Sequence, residues 1–259
     1  MLLTGATGGL GRAIANALAE AGARLVLSSR DDDALAELAA SLPGSGHRAV
    51  AADLAVEGAA ERLVSESEPL DVFVANAGLP GNGKLESFSG EQIARAVRVN
   101  LETPMRMARQ LVPAMLERGA GHLVFMASLA GKAPTPRSSI YNATKFGLRG
   151  FALGLRTDLM GSGVGVSIVS PGFVRGAGMF ADSGAKPPRP MGTTTPDRVA
   201  AGVVTAIERD RSEVAVAPLP DRVLAHFGLA VPALAVRTTG GRSGRKTADA
   251  LAAGNADKR

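Results

Sequence analysis

Thr4-Gly5-Ala6-Thr7-Gly8-Gly9-Leu10-Gly11 joins a short apolar run to an amphipathic segment whose apolar positions include Leu10, Ile14 and Leu18. Glycines in such a turn allow a sharp change of direction, close approach of a pyrophosphate and close packing of the following helix. The first turn of that helix presents free N–H groups, which attract an anion. The stretch therefore predicts a strand, a turn and a helix that cradle the phosphates of a dinucleotide.

Apolar runs rich in β-branched residues or Leu alternate with Ala-rich amphipathic stretches along the rest of the chain. The runs cover residues 24–28, 47–51, 72–75, 122–127, 164–170 and 213–217. Continuous apolar runs are typical of strands that are covered on both faces, and their alternation with helices indicates an α/β protein. Together with the strand before Gly5, they predict a Rossmann-like doubly wound parallel sheet of about seven strands with helices on both faces.

The length of 259 residues suits a single α/β domain, which we place at residues 1–237. Within it, the Gly/Pro-rich segment 175–196 is too long for an ordinary connection and is predicted to be a substrate loop. Residues 218–236 form an apolar C-terminal extension. Residues 238–259 are rich in Gly, Ser, Lys and Arg without apolar periodicity, and they predict a basic disordered tail.

Composition argues against several other kinds of protein. The chain has no Cys and three scattered His, so we expect no disulfide framework and no metal site. The net charge of +5 is concentrated after Val236, and aromatic residues make up only 3% of the chain, which argues against nucleic-acid binding. Because Met1 leads at once into the glycine turn without a signal-peptide pattern, we expect a cytoplasmic protein.

The end of the second predicted strand bears on the choice of cofactor. Ser29 stands where a NAD-selective site places a carboxylate for the ribose hydroxyls, and Arg30 follows it. A guanidinium binds a 2′-phosphate through forked, charge-assisted hydrogen bonds, so we predict a preference for NADP over NAD. The alternative is a solvated Arg30 that pairs with an aspartate among residues 31–33.

Two further polar motifs follow strands at the same predicted edge of the sheet. Asp53 follows the third strand, and Asn76-Ala77-Gly78 follows the fourth. Ligands of such sheets bind beyond the carboxyl ends of the strands, so both motifs are candidate cofactor contacts. Asp53 also suits the N-cap of a helix that begins near Val56, and neither motif decides the question alone.

Tyr141 and Lys145 are four residues apart at the start of an apolar helical stretch. This spacing places the phenol and the ammonium on one face of a helix. A nearby cation favours phenolate and so lowers the pKa of a tyrosine, which lets it exchange a proton with a substrate oxygen. The alternative is a pair of unrelated surface neighbours.

These motifs together resemble the short-chain dehydrogenase/reductase family over roughly residues 2–216. Ser128 ends the fifth predicted strand thirteen residues before Tyr141, as the catalytic serine of that family does. Pro171-Gly172 after the sixth strand resembles another family motif. The glycine turn fits both the family's TGxxxGxG spacing and the GxxGxxG spacing of extended relatives, and the remaining motifs favour the short type.

Asn100 matches the fourth catalytic residue of the family. Pro104 has no N–H, so the Asn100 carbonyl loses its usual helical donor, and Thr103-Pro104 is typical of an N-cap and the first residue of a new helix. The resemblance assigns that carbonyl a water in a proton relay through Lys145. The alternative is a kink without proton transfer.

The resemblance implies an NADP(H)-dependent oxidoreductase that transfers hydride between the nicotinamide and a carbonyl or alcohol. Ser128 would donate a hydrogen bond to the carbonyl oxygen, Tyr141 would act as general acid in reduction, and Lys145 would anchor the nicotinamide ribose. The expected cofactor contacts are Gly5, Thr7, Gly9, Leu10, Gly11, Ser29, Arg30, Asp53, Leu54, Asn76, Ala77, Gly78, Tyr141, Lys145, Pro171, Gly172 and Val174.

The substrate loop and the C-terminal extension bear on substrate and partners. Together with Ser128, the loop residues Met179, Phe180 and Met191 predict an apolar substrate wall, unless they are core contacts. The resemblance also implies a homodimer or homotetramer. We expect residues 218–236 to pack on the body or a second subunit rather than bind a membrane. The alternative functions are an NADP-binding regulatory protein without turnover and an epimerase or dehydratase of the same fold.

Overall fold

The computed structural model describes residues 1–188 and 191–258, so Arg189 and Pro190 of the predicted loop and Arg259 of the predicted tail lie outside the described residues. Seven parallel strands form one sheet in the order β3-β2-β1-β4-β5-β6-β7. The strands are β1 (Leu2–Thr4), β2 (Val26–Ser28), β3 (Arg48–Ala49), β4 (Val72–Ala75), β5 (Gly121–Met126), β6 (Val164–Pro171) and β7 (Glu213–Val216). The predicted fold class is confirmed.

Helices follow the strands and cover both faces of the sheet. They are α1 (Gly9–Glu20), α2 (Asp32–Ser41), α3 (Ala59–Ser67), α4 (Gly90–Val97), α5 (Thr103–Arg118), α6 (Ser139–Asp158), α7 (Gly178–Asp182), α8 (Pro196–Glu208), α9 (Leu219–Ala230), α10 (Pro232–Thr239) and α11 (Arg242–Gly254). A π-helical turn over Arg98–Glu102 connects α4 to α5, and a 3₁₀ turn over Leu129–Gly131 follows β5.

Strand residues alternate between two apolar cores because successive side chains of a strand point to opposite faces. Leu2, Phe73 and Phe125 belong to the core shared with α3, α5 and α6. Leu3 and Val74 belong to the core shared with α1, α2 and α8. The inner strands β1, β2, β4, β5 and β6 are almost completely buried, which explains their apolar runs, whereas the edge strand β3 is exposed and the edge strand β7 is partly buried.

The chain after residue 238 is helical where it was predicted to be disordered. Helix α11 spans Arg242–Gly254, and polar contacts attach it to distant segments. Asp249 pairs with Arg137 at 2.8 Å, and the Thr247 hydroxyl donates to the Lys186 carbonyl at 2.8 Å. The helix faces the body mainly through small residues such as Ala248, so the sequence lacks the large apolar periodicity that indicates a packed helix.

The apolar extension 218–236 forms α9 and α10 and packs on the body through a narrow stripe. Asp221, Ala225 and Gly228 of α9 and Ala235 of α10 are buried, whereas the rest of both helices is largely exposed. Among the described residues, no helix has the length and apolarity required to cross a membrane.

A buried ionic cluster connects α6, β7 and α9 behind the 3₁₀ turn that follows β5. The Lys132 ammonium, 1% exposed, lies 3.0 Å from Oε1 of Glu213, and Arg149 donates to both Glu213 carboxylate oxygens. His226 Nδ1 lies 2.7 Å from the Arg222 carbonyl and so carries the proton, which leaves Nε2 to accept from Lys132 at 3.3 Å. Burial raises the Glu213 pKa, but hydrogen bonds from Arg149 and Lys132 outweigh burial and hold that pKa below 4.5.

We expect Glu213→Gln to lower the free energy of unfolding at neutral pH by about 3 kcal/mol, because it leaves the Lys132 ammonium buried without an anion. Chemical denaturation measures this difference. Because the native pKa of Glu213 is lowered, its carboxylate stabilises the fold above the ordinary value of 4.5, and the gap to the variant closes as pH falls below 4.5.

The matched control for this experiment is the double variant Lys132→Met/Glu213→Gln, which removes the buried cation as well. We expect it to be more stable than Glu213→Gln alone. If the loss of unfolding free energy in the double variant equals the sum of the losses in Glu213→Gln and Lys132→Met, then Lys132 and Glu213 do not stabilise each other.

Candidate active site

The glycine turn lies at the carboxyl end of β1 and opens helix α1. Gly5 has φ +64°, a left-handed conformation that favours glycine, and a Cβ on Gly11 would collide with the Gly5 carbonyl oxygen. The N-cap of α1 is Gly8, without a side-chain cap, and the first turn holds no acidic residue. The backbone N–H groups of Gly9 and Leu10 therefore lie at a helix N-terminus suited to a phosphate.

Hydrogen bonds tie this turn to the end of β4. The amide of Asn76 donates from Nδ2 to the Thr4 carbonyl at 3.0 Å and to the Gly5 carbonyl at 3.1 Å. The backbone N–H groups of Asn76 and Ala77 both donate to the Thr4 hydroxyl at 3.1 Å. The two strand ends that flank a dinucleotide site in this fold are thus held at a fixed separation.

A cavity of about 1020 Å³ opens along the carboxyl edge of the sheet. All of the predicted cofactor contacts and all of the predicted substrate contacts line it, whereas Asn100 does not. Ser28, which is buried beside the cavity at the end of β2, has no hydrogen-bond partner for its hydroxyl within the described chain. A dinucleotide therefore fits this edge by volume, by its glycine turn and by an open polar group.

Ser29 and Arg30 lie at one end of the cavity, beyond β2. The Thr7 hydroxyl donates to Ser29 Oγ at 2.9 Å, which places Ser29 against the glycine turn. Asp31 accepts from the Ala34 N–H and caps α2, so its carboxylate already has a partner. No ion pair in the described part of the chain joins Arg30 to an aspartate. The structure therefore does not contain the alternative ion pair between Arg30 and an aspartate among residues 31–33.

Asp53 does not cap a helix. Its carboxylate accepts from the Ala55 N–H at 3.0 Å within a turn, and α3 begins only at Ala59 behind Gly58. Asp53 and Leu54 line the cavity from the end of β3. The Thr103 hydroxyl holds this segment by donating to the Leu54 carbonyl at 3.2 Å.

Ser128, Tyr141 and Lys145 converge in the middle of the cavity. Ser128 follows β5, where its hydroxyl accepts from the Ala130 N–H at 3.1 Å and donates to the Pro171 carbonyl at 3.5 Å. The Lys145 ammonium lies 5.7 Å from the centre of the Tyr141 ring and donates to the Met126 carbonyl at 2.8 Å. The predicted serine, phenol and ammonium therefore share one site.

Burial dominates the protonation of this group. It raises the pKa of Tyr141, an effect that the nearby Ser128 hydroxyl offsets in part, and it lowers the pKa of Lys145 to about 8. The Tyr141 shift is opposite to the direction predicted from Lys145 alone, because the phenolate loses solvation by water when buried. At neutral pH Tyr141 therefore carries its proton and is a potential donor.

Asn100 lies behind the cavity wall rather than in it. Its side chain accepts from the Leu79 N–H at 2.7 Å and donates to the Leu79 carbonyl at 2.9 Å, and it is 1% exposed. The structure corrects the predicted N-cap at Thr103, because the Arg98–Glu102 turn continues directly into α5 and the Thr103 hydroxyl contacts the Leu54 carbonyl instead. Through these bonds Asn100 positions the segment that follows Gly78.

Asn142 was not identified from the sequence, yet it organises the loop between Ser128 and Tyr141. Its amide donates to the Ala130 and Ala133 carbonyls, and its oxygen accepts from the Thr135 N–H and hydroxyl. The only available signal was its place beside Tyr141. Its role depends on contacts with a loop whose conformation local sequence does not specify.

The substrate end of the cavity is lined by more than the predicted loop. The Phe180 ring lies 4.7 Å from that of Phe173, and the Met179 carbonyl accepts from the Asn255 amide at 3.0 Å. The C-terminal helices add apolar wall residues that the sequence did not reveal. These are Leu224, Ala225, Ala235, Ala248 and Leu251.

Comparisons with known proteins agree with this geometry. A family model described as short chain dehydrogenase matches residues 1–187. The ketoacyl reductase HetN of Nostoc sp. (strain PCC 7120) is 38% identical over 222 residues, covering 83% of this chain and 77% of HetN.

Solved structures show the same resemblance. A short-chain dehydrogenase from Sphingobium yanoikuyae in complex with NADPH is 28% identical with a TM-score of 0.78, covering 90% of this chain and 94% of the other. A metagenomic short-chain oxidoreductase in complex with NADP is 31% identical with a TM-score of 0.66, covering 83% and 95% of the two chains.

Proposed function

The chain belongs to the short chain dehydrogenase family of oxidoreductases, and from this premise we propose that it reduces a carbonyl or oxidises an alcohol with NADP(H), using Tyr141 as general acid or base. The observation that carries the proposal is the convergence of Ser128, Tyr141 and Lys145 on one cavity, where the Lys145 ammonium lies 5.7 Å from the centre of the Tyr141 ring. Two side chains able to donate hydrogen bonds thereby share one position for a substrate oxygen.

Residues along the carboxyl edge of the sheet would hold the dinucleotide. The N–H groups at the start of α1 suit the pyrophosphate, and Asn76-Ala77-Gly78 borders the same space. Lys145 would hold the nicotinamide ribose. When bound, the cofactor supplies or accepts the hydride.

The chain's own residues account for the proton. Ser128 would donate a hydrogen bond to the substrate carbonyl oxygen and so orient it toward Tyr141. Because the Tyr141 pKa is raised, the phenol is protonated at neutral pH and can give its proton to that oxygen during reduction. Lys145, buried and charged, would stabilise the phenolate that remains. Asn100 would support this proton transfer from behind the cavity wall, because its side chain holds the backbone of Leu79.

Preference for NADP over NAD is supported by the end of β2. Ser29 offers a hydroxyl rather than a carboxylate next to the glycine turn, and Arg30 has no ion pair with the neighbouring aspartates in the described chain. Two structural relatives are complexes with NADPH or NADP.

An apolar carbonyl compound suits the substrate end of the cavity. Met179, Phe180 and Met191 line it from the loop, and small or aliphatic residues of α9, α10 and α11 line it beside the charged Asp221 and Arg242. The similarity to a ketoacyl reductase supports ketoacyl compounds as the first substrates to test. We also propose a homodimer or homotetramer, which is supported by the exposed apolar side chains of Val97, Met105 and Phe146 on α4, α5 and α6.

Tyr141→Phe should lower turnover at least about a hundredfold while NADPH affinity stays within a few-fold, because only the proton donor is removed. The assay follows NADPH consumption with a panel of ketoacyl thioesters, ketones, aldehydes and quinones, and NADPH titration measures binding. NADPH binding without turnover on any panel member would favour a regulatory protein, and equal activity of the variant would refute the mechanism.

The pH profile should report Lys145. We expect kcat/KM for reduction to fall as pH rises through about 8, because the Lys145 ammonium loses its charge there while Tyr141, with its raised pKa, remains protonated. Lys145→Arg is the comparison variant, since a guanidinium keeps its charge and should move the decline to higher pH. A profile that stays flat well above pH 8 in the wild type would remove Lys145 charge from the mechanism.

Arg30→Ala should raise the KM for NADPH by roughly one to two orders of magnitude and leave the KM for NADH almost unchanged, because it removes one or two charge-assisted hydrogen bonds to the 2′-phosphate. Steady-state kinetics with both cofactors measures this. Arg24→Ala, which removes a cation outside the cavity, is the control, and an unchanged NADPH/NADH ratio in Arg30→Ala would leave the preference without support.

A further inference from the structure

Exposed apolar side chains are concentrated on α9 and α10. Seven of the fourteen large apolar side chains exposed in the described residues lie within these two helices and the residue between them, and an accumulation of this kind marks an interaction surface. We call them the C-terminal apolar face, which consists of Leu219, Val223, Phe227, Leu229, Val231, Leu234 and Val236.

Helix geometry separates this face from the side that packs on the body. Residues of a helix are about 100° apart, so the buried Asp221, Ala225 and Gly228 form one stripe of α9. Val223 lies nearly opposite that stripe and is 60% exposed. Phe227 lies one turn further along the same outward side as Val223 and is 42% exposed. The body therefore covers one side of α9, and the apolar face points outward.

The exposed charges of α9 and α10 are cationic. Arg222 and Arg237 are exposed, whereas Asp221, the one carboxylate of the two helices, is buried. On the following α11, Arg242, Arg245 and Lys246 are cations, and the Asp249 carboxylate pairs with Arg137. Arg237 follows the last residue of the apolar face and is itself exposed. A second copy of the chain would bring the same positive charge, whereas an anionic lipid surface attracts both the cations and the apolar side chains.

We propose that the C-terminal apolar face binds the surface of an anionic membrane, with α9 and α10 lying in the headgroup region. These helices have 12 and 8 residues, and a helix that spans the hydrocarbon core needs about 20. Leu224 and Ala225 of α9 and Ala235 of α10 line the cavity, so binding brings one wall of the cavity to the lipid surface.

Co-sedimentation of the full chain with vesicles tests the proposal. We expect the wild type to sediment with phosphatidylcholine vesicles that contain about one third phosphatidylglycerol and far less with pure phosphatidylcholine. Val223→Gln/Phe227→Gln should reduce partition at least tenfold, because it removes apolar surface without touching the cavity. The matched control is Leu85→Gln/Met160→Gln, which alters side chains of 58% and 78% exposure elsewhere and should bind like the wild type.

The cationic part of the proposal has its own test. Arg222→Gln/Arg237→Gln/Lys246→Gln should weaken binding to the anionic vesicles severalfold and leave the weak binding to neutral vesicles unchanged. Added salt should act in the same direction, since screening shortens the reach of exposed charges to about 10 Å at 0.1 M. Anionic-vesicle binding that survives both changes would overturn the electrostatic contribution.

The remaining outcomes are also decisive. A wild type that stays in the supernatant with anionic vesicles, or a Val223→Gln/Phe227→Gln variant that sediments normally, overturns the proposal. If that variant instead turns a dimer into a monomer in size-exclusion chromatography and vesicles bind neither protein, the occupant of the face is a second copy. Circular dichroism confirms that each variant is folded, and sedimentation does not depend on turnover, so this test stands or falls separately from the proposed oxidoreductase activity.

Discussion

The hydrogen bonds between Thr4 and Asn76 are the constraint on which the rest of the site depends. Strand β1 lies between β2 and β4, and the sheet order reverses there, so the crevice that receives a dinucleotide opens between these strand ends. Asn76 fixes the Thr4 and Gly5 carbonyls, which sets the direction of the glycine turn and therefore of α1. The segment after Asn76 then leads to Leu79, where Asn100 holds both backbone polar groups. Asn100 also donates to the Thr144 hydroxyl at 3.4 Å, so hydrogen bonds and the short backbone segment 76–79 connect the glycine turn to α6.

Helix α6, which carries Tyr141 and Lys145, is held in place from the opposite side. Lys145 bonds to the Met126 carbonyl at the end of β5, and Asn142 fixes the loop that follows Ser128. This placement has an electrostatic consequence. The buried Lys145 ammonium bonds to a neutral carbonyl, and burial lowers its own pKa, so it favours the Tyr141 phenolate less than the spacing of the two residues alone predicts. Desolvation accordingly moves the pKa of Tyr141 and that of Lys145 in opposite directions, toward the neutral form of each.

Local sequence was informative where function depends on local geometry. The glycine turn and the four-residue spacing of Tyr141 and Lys145 specify backbone and face directly, and the structure brings both into one cavity. Helix α11 was missed because small residues and polar contacts with distant segments hold it. The role of Asn142 was missed because it depends on hydrogen bonds to the loop after Ser128. The direction of the Tyr141 shift was missed for a related reason, since burial belongs to the assembled fold and does not follow from the spacing of two residues.

Local motifs carry the residues proposed for the reaction, whereas the proposed substrate wall depends on distant parts of the chain. The groups that would move a proton lie within residues 1–187, the part of the chain that the family model matches. Much of the apolar wall comes instead from Leu224, Ala235 and Leu251, which lie beyond it on helices α9 to α11. Those helices face the cavity on one side and present the exposed apolar face on the other. A substitution on their inner side therefore alters the cavity wall without touching Ser128, Tyr141 or Lys145, and under the proposed membrane binding one on their outer side changes attachment to lipid without altering the cavity.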